Sequence, residues 1–445
     1  MPSHDEKVRL VAQQVKAAVK KGVQVQFVKK SPSHLVPNPY EDPDAMPKID
    51  LSPLNELLEI DEENMTCTAE SGITFEDLTK ATLAKGLMPN TVSELKGITI
   101  GGAVSGCSVE SKSYQDGGFH DSCLDYEIIT GQGEVITCSP EKDADLFQMI
   151  HGSYGTLGII SKIKFKLLRA KPFVKMEYRH HDNFKDFWAD LSERCEKADY
   201  EFVDAIIHSP KQFVICLGDM VDSAPYTSNY EWLEIYYKST AVKTEDYMTT
   251  QQYFFRYDAE CHWLTKVAPP LENKIIRFLF GKLFLGSSKL ITWSNRLRHI
   301  LKLKKRPEVV VDVFIPSKRF EEFYQWYETD FDFFPLWIVP YRFPSFYPWV
   351  SEDWTKKMGE KFVIDCAVYG KINNNPKIDY SELMERKVYE LGGIKTLISR
   401  NHYDEKTFWE IYNKPEIDRL KEKLDPHNLF EKLFDRFAPT KYQKR

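Results

Sequence analysis

Ile98-Thr99-Ile100-Gly101-Gly102-Ala103-Val104-Ser105-Gly106 opens the stretch that decides the fold, and Gly152-Ser153-Tyr154-Gly155-Thr156-Leu157-Gly158 closes it. Glycine has no Cβ, so runs of Gly and Ser let successive main-chain N–H groups converge on an anion such as a pyrophosphate. A bound dinucleotide is therefore expected. By themselves the glycines also suit tight turns or close packing. Between the two runs, Asp125–Thr130, Gly131-Gln132-Gly133 and Glu134–Cys138 read as strand, glycine turn and strand, and Ser139–Asp143 introduces a helix over Ala144–Ile150. After Gly158 the residues Ile159, Ile160, Ile163, Phe165 and Leu167 follow the alternation of a half-buried strand.

Outward from this stretch, the spacing predicts a helix over Asp5–Lys21 and a strand over Val23–Val28, then the loop Lys29-Lys30-Ser31-Pro32-Ser33-His34. A strand over Met65–Glu70 and a helix bearing Phe75, Leu78, Ala81, Thr82 and Lys85 come next, the helix ending at Gly86 and leading through Pro89 back to the glycines. Residues 1–172 thus form one α+β unit. From 173 to 390 aromatic residues rise and glycine falls, as in a second, substrate-covering unit. Residues 391–445 are expected to return to the first, with a strand over Ile394–Ile398 and a helix over Glu405–Tyr412.

The 445 residues suit two domains, and 42% hydrophobic with 28% charged residues places the chain among globular proteins. A net charge of −6 argues against a nucleic-acid binder. Eight cysteines without a CxxC pair read as free buried thiols of a reducing compartment, so the expected location is cytoplasmic. The polar opening has no signal-type apolar core, and no run reaches the roughly 20 apolar residues of a membrane span. Membrane contact is then peripheral at most. GxGxxG, P-loop, HExxH and GxSxG motifs are absent. The adjacent pair His180-His181 does not suit one metal, and no metal site is expected.

Thr99-Ile100-Gly101-Gly102-Ala103, Gly118-Phe119, Asp125-Tyr126-Glu127, Asp145-Leu146-Phe147 and Gly155-Thr156-Leu157-Gly158-Ile159-Ile160 occur in an order that resembles the FAD-binding (PCMH-type) domain of the vanillyl-alcohol oxidase superfamily. Val109-Glu110-Ser111, Cys138-Ser139-Pro140, Phe334–Pro340, Val368-Tyr369-Gly370 and Phe408-Trp409-Glu410 are most similar to its delta-24 sterol reductase family. The segment Leu424–Phe430 is common to the wider superfamily. The resemblance implies an α+β fold of two domains, an FAD-binding domain and a substrate-covering cap. It also implies FAD, held without a covalent bond, and NADPH as co-substrate. The reaction would reduce an isolated carbon–carbon double bond of a sterol, isoprenoid or other lipid. An FAD-dependent alcohol dehydrogenase or oxidase acting on a sugar-lipid or polyol, and a lipid-binding protein without catalysis, stand as alternatives, because one scaffold hosts many chemistries.

By the same resemblance, the flavin is expected against Thr99, Gly101, Gly102, Ser105, Gly106, Ser108, Val109 and Ser111, with Gly118 and Pro89 nearby and Gly155, Gly158, Ile159 and Ile160 opposite. Lys30, Ser31, Ser33 and His34 occupy the position of the first phosphate loop, which in the superfamily is richer in glycine. His34 is also the position where some members attach flavin covalently, and Cys107 is a second such thought. An unactivated alkene accepts hydride poorly, so a well-placed acid must deliver the proton. Glu110, Tyr114, Tyr369, Arg400 and His402 are the candidates. Each has a plain structural alternative, such as Glu110 binding backbone amides, Tyr369 in the core or His402 capping a helix. The loop Tyr341–Trp349 is aromatic, and either lines an apolar pocket or packs an interface.

One segment stands apart. Lys274–Arg306 holds ten Lys or Arg and no Asp or Glu, among apolar and aromatic residues. It reads either as an interfacial element for anionic lipid head groups or as a buried helix pair whose lysines reach water.

Overall fold

A computed structural model describes residues 2–32, 46–267, 269–297, 309–372, 375 and 377–442. Its smaller sheet is built around Ile159–Arg169, where Ile163, Phe165 and Leu167 turn one way into the core while Lys162, Lys164 and Lys166 alternate with them. Thr66–Glu70 and Cys123–Ile129 flank that strand antiparallel, Leu57–Asp61 and Val135–Cys138 lie at the edges, and Leu87–Pro89 pairs with its far end. The first predicted strand shortens to Gln26–Val28, which pairs parallel with Lys48–Asp50.

The opening helix His4–Lys21 begins in a capping box between Ser3 and Glu6 and ends at Gly22 in the left-handed region. Val8, Val11, Val15 and Ala18 recur at helical spacing and bury against Ile129 and Ile159. At its start the His4 ring bridges Glu70 at 2.9 Å and Glu127 at 2.8 Å, and Lys7 reaches Glu70 at 3.0 Å.

The larger sheet has eight antiparallel strands between Phe173 and Lys395. One face is apolar and covered by the helices Phe184–Lys197, Phe320–Trp326 and Tyr380–Glu390. The other face joins the core of the smaller sheet. The expected strand over Ile394–Ile398 is only Ile394–Lys395, and it completes the edge of the larger sheet by pairing with Val313 and Phe314. The chain meets the smaller sheet again later. Lys421 Nζ donates to the carbonyls of Thr156 and Phe430 at 2.7 and 2.8 Å, and Gly131 lies so close to Asp425 that a Cβ would sit 2.3 Å from its carboxylate. Among the described residues no helix is long and apolar enough to cross a membrane.

The His4 network sets a pH window. Hydrogen bonds to Glu127 and then Glu70 raise His4 from 6.5 to about 9. Burial opposes ionisation of Glu127, but bonds from His4, Ser161 and Lys162 outweigh it and hold the carboxyl at about 2. A raised histidine stabilises fully below 6.5 and loses that effect as pH climbs to about 9, whereas a depressed carboxylate stabilises above 4.5 and loses its effect as pH falls towards 2. The melting-temperature gap between the protein and His4→Gln is expected to be widest between those limits and to close as pH rises from 6.5 to about 9. A gap independent of pH would contradict the network.

Candidate functional site

Thr99 caps the short helix Ile100–Gly106 with its hydroxyl on the Gly102 N–H, and Cys107 ends it in the left-handed region. The glycines of this region divide into two kinds. A Cβ on Gly101, Gly118 or Gly158 would strike Ser71, the His120 ring or Ile128 within 2.7 Å, so these three are small because protein packs against them. On Gly106 the nearest foreign atom would be a Tyr154 ring carbon at 4.0 Å, and on Gly102 only the Thr99 hydroxyl comes near, at 3.2 Å. Among the described residues, main chain from elsewhere in the protein comes within 4 Å at neither position. Ser105–Val109 all keep part of their surface accessible, as do Gly152, Tyr154 and Gly155 across from them. Gly155 holds φ +76°, a conformation L side chains rarely adopt. Ile159 and Ile160 are strand residues buried in two different cores, with their main chain paired to Ile129 and Ile128.

Among the described residues two buried hydroxyls of these loops lack partners, Ser31 Oγ in the first loop and Ser153 Oγ between Gly152 and Tyr154. In the first loop the sequence pointed to Lys30, which is exposed. Its neighbour Lys29 is the desolvated cation: burial lowers its pKa, and no carboxylate stands beside it among the described residues. A buried ammonium and orphaned hydroxyls suit an anionic ligand. Ser33 and His34 lie outside the described residues. Cys107 is a poor nucleophile, since burial and then Asp121 push its thiol well up.

The second half of the site was missed by sequence reasoning. Asp204, Asp312 and Asp365 each sit alone in an apolar strand, and all three project from the face of the larger sheet that meets the smaller one. Asp312 lies opposite Ala367, so Asp365 is its diagonal neighbour. Tyr369 donates to Asp312 Oδ1 at 2.5 Å and stacks on His262 with centroids 4.2 Å apart. His262 Nε2 meets Glu94 at 3.2 Å, and the Trp263 N–H donates to the Tyr369 carbonyl at 2.9 Å. Cys261 and His262 are consecutive non-glycine residues at φ +47° and +63°. Such strained pairs concentrate at functional sites. Asp312 and Tyr369 keep part of their surface accessible, whereas Asp365 and His262 are buried.

Burial raises Asp312 to about 6, the Tyr369 hydroxyl opposing and Glu94 adding to the shift. Asp365 is pushed well above the usual carboxylate range by burial and then by Asp312. Burial and Asp312 also drive the Tyr369 phenol well up. The group poised to give a proton is Asp312.

The other expected acids are placed otherwise. Tyr114 lies in the apolar core on the far face, its hydroxyl donated to the Tyr200 carbonyl. Glu110 is buried against Arg256 at 3.1 Å and accepts from the Ser111 N–H at 2.5 Å, bordering a small cleft with Pro89 and Ser111. Ser111 in turn meets the Tyr253 hydroxyl at 2.8 Å rather than the open groove. Arg400 pairs with Asp379 at 2.7 Å. His402 falls to about 3 through burial and the neighbouring Arg400 and Lys395, so it is neutral and no acid near pH 7. The aromatic loop packs an interface: Tyr347 bonds Asp121 at 2.8 Å and His120 at 2.9 Å from the smaller sheet's side. The strand at Ile394 joins the two halves, since Thr396 N–H donates to the Asp312 carbonyl and Leu397 N–H to the Tyr154 hydroxyl, at 2.9 and 2.8 Å.

A profile described as an FAD binding domain matches residues 6–139. Delta(24)-sterol reductase of Homo sapiens is 26% identical over 405 residues, 86% of this chain and 76% of that protein, and the Pisum sativum protein of the same name is 24% identical over 433 residues, 87% and 75%. The protein is an FAD-dependent oxidoreductase. Cytokinin dehydrogenase 3 of Oryza sativa is 34% identical over 119 residues, 27% of this chain and 23% of that protein.

The residues present fit the flavoenzyme's cofactor: among the described residues Ser31 and Ser153 carry orphaned hydroxyls, Lys29 is desolvated with no carboxylate beside it, and a Cβ on Gly106 would meet nothing closer than 4.0 Å. Gly102→Val is expected to keep the fold, read by circular dichroism, and to lose at least about tenfold in retained FAD, the scale of roughly 1.4 kcal/mol. Lys29→Gln should weaken FAD by a similar factor and Lys30→Gln should not. Equal behaviour of the two lysine variants would remove Lys29 from the site.

Proposed function

We propose that this flavoenzyme reduces an isolated carbon–carbon double bond in a sterol or other isoprenoid lipid, with NADPH as electron donor and FAD held without a covalent link. Residues 1–172 would bind FAD, 173–390 cover the substrate and 391–445 close the two together. The supporting observation is a partly accessible carboxyl, Asp312, raised to about 6 and held by Tyr369, in a chain similar over 86% and 87% of its length to two proteins named Delta(24)-sterol reductase.

FAD, when bound, supplies the hydride chemistry. Ser31, Lys29, Ser153 and the main chain around Gly102 and Gly106 would hold it. Trp263, Trp337 and the His262 ring form a buried aromatic cluster beside Tyr369 and Asp312. An alkene carbon that gains hydride leaves its partner carbon in need of a proton, and Asp312 is placed to give it. The carboxylate so formed keeps the Tyr369 hydroxyl bond, which stabilises it. Glu94 orients His262, which supports Tyr369 by stacking. Glu110, Tyr114, Arg400 and His402 would serve to hold these parts in place.

The raised pKa fixes the sign of the pH dependence. Asp312 is protonated below about 6, so the rate of lipid reduction by the pre-reduced enzyme should fall as pH rises through that value. Asp312→Asn should lower that rate by roughly 10²-fold or more and flatten the profile. Tyr369→Phe, which removes a bond that favours the carboxylate, should move the descending limb to higher pH. A profile unchanged in both variants would dismiss Asp312 as the donor. The reaction direction is tested by the anaerobic visible spectrum: NADPH should bleach the flavin. A flavin that stays oxidised would turn the reading towards alcohol oxidation, and a protein without flavin would turn it towards lipid binding alone.

A further inference from the structure

The helix Lys274–Phe284, which Ser287–Leu297 follows, carries its amphipathic pattern inside out. The inward positions of the first are Arg277 and Gly281, followed by Leu285 at the same spacing. Its outward face bears Ile275, Phe278, Leu279 and Leu283, which are 70%, 73%, 61% and 61% exposed. Phe280, Phe284 and Trp293 continue the apolar surface. An ordinary surface helix buries such residues and shows its charges. The inversion is held by fixed contacts, because Arg277 is paired with buried Glu260 and donates to the carbonyls of Leu233 and Glu234, while Gly281 packs against Trp232.

We propose that this face docks on an anionic lipid surface. The charge pattern selects that occupant. Lys274, Lys282 and Lys289 are exposed around the apolar patch, and neither helix contains an acidic residue. A second copy meeting the face about a two-fold axis would set these cations against one another. Anionic head groups above an apolar layer satisfy both the cations and the exposed aromatic and aliphatic side chains. The patch also connects to the segment that carries His262. Ser287 donates to Asp258 at 2.5 Å, Gly286 N–H to the Ala259 carbonyl at 3.1 Å, and Arg277 grips Glu260, so both helices are fastened to the segment that continues into strained Cys261 and His262. Delivery of substrate from the lipid phase along this segment rests on the reading of a lipid substrate given above; docking itself does not.

The test is flotation of the full chain with phosphatidylcholine vesicles, with and without phosphatidylserine, which needs no turnover. The protein is expected to float with the phosphatidylserine vesicles and at least about tenfold less with phosphatidylcholine alone. The variant Phe278→Asp, Leu279→Asp, Leu283→Asp should lose at least about tenfold of the bound fraction, with flavin content and circular dichroism unchanged; these side chains are already in water, so the fold does not depend on them. Equal flotation of the variant would overturn the proposal. So would a chain that ignores both vesicles, or one that sediments as a dimer which the variant dissolves, since the occupant would then be a second copy. NADPH oxidation in detergent, measured in parallel, separates failure of docking from failure of the proposed reaction.

Discussion

Removing three carboxylates from water is the constraint on which the centre of the molecule depends. Asp204, Asp312 and Asp365 leave one face of an eight-stranded sheet and enter space closed by the smaller sheet and by residues 236–263. A charge in such a place must be paired, bonded or given up. Each aspartate meets the demand differently. Asp204 accepts from the Trp337 indole at 2.7 Å and faces Arg256, whose guanidinium is enclosed by the rings of Tyr253, Tyr257 and Tyr236. Burial and Asp312 push Asp365 towards its neutral form, and Asp312 takes one strong bond from Tyr369. Only Asp312, with Tyr369, remains open to a ligand.

The same constraint explains why the site cannot belong to either sheet alone. Glu110 comes from the glycine-rich half and shares Arg256 with Asp204 of the larger sheet, while Glu94 reaches His262. Thr396 and Leu397 then tie the Asp312 strand to Tyr154 beside the cofactor groove. Positions on rigid strands, clamped from both sides, hold a reacting group more closely than a loop does. The inverted helix pair adds a third partner, joined through Glu260 and Asp258 to the residues that carry His262.

Local patterns carried much of this into view. The opening helix, the alternation through Ile159–Leu167 and the helix bearing Phe75 and Leu78 follow from periodicity and caps, which act within a few residues. The lone aspartates were a legible signal of another kind. Val203-Asp204-Ala205, Val311-Asp312-Val313 and Ile364-Asp365-Cys366 each place one charge inside an apolar strand, which is costly unless the charge is used or paired. What no strand shows is that all three share one face, because that depends on register between segments far apart in the chain.

By itself, then, the sequence determined where small residues cluster, which strands alternate and which segment is basic and apolar at once. These are properties of neighbouring residues. The tertiary structure alone decided that Gly101 and Gly158 serve packing while Gly102 and Gly106 face a groove, that Lys29 rather than Lys30 is desolvated, and that Ile394–Lys395 completes the larger sheet. It also decided which acid is poised near neutrality. Desolvation and the company of other charges set that, and both arise only when distant strands are brought face to face.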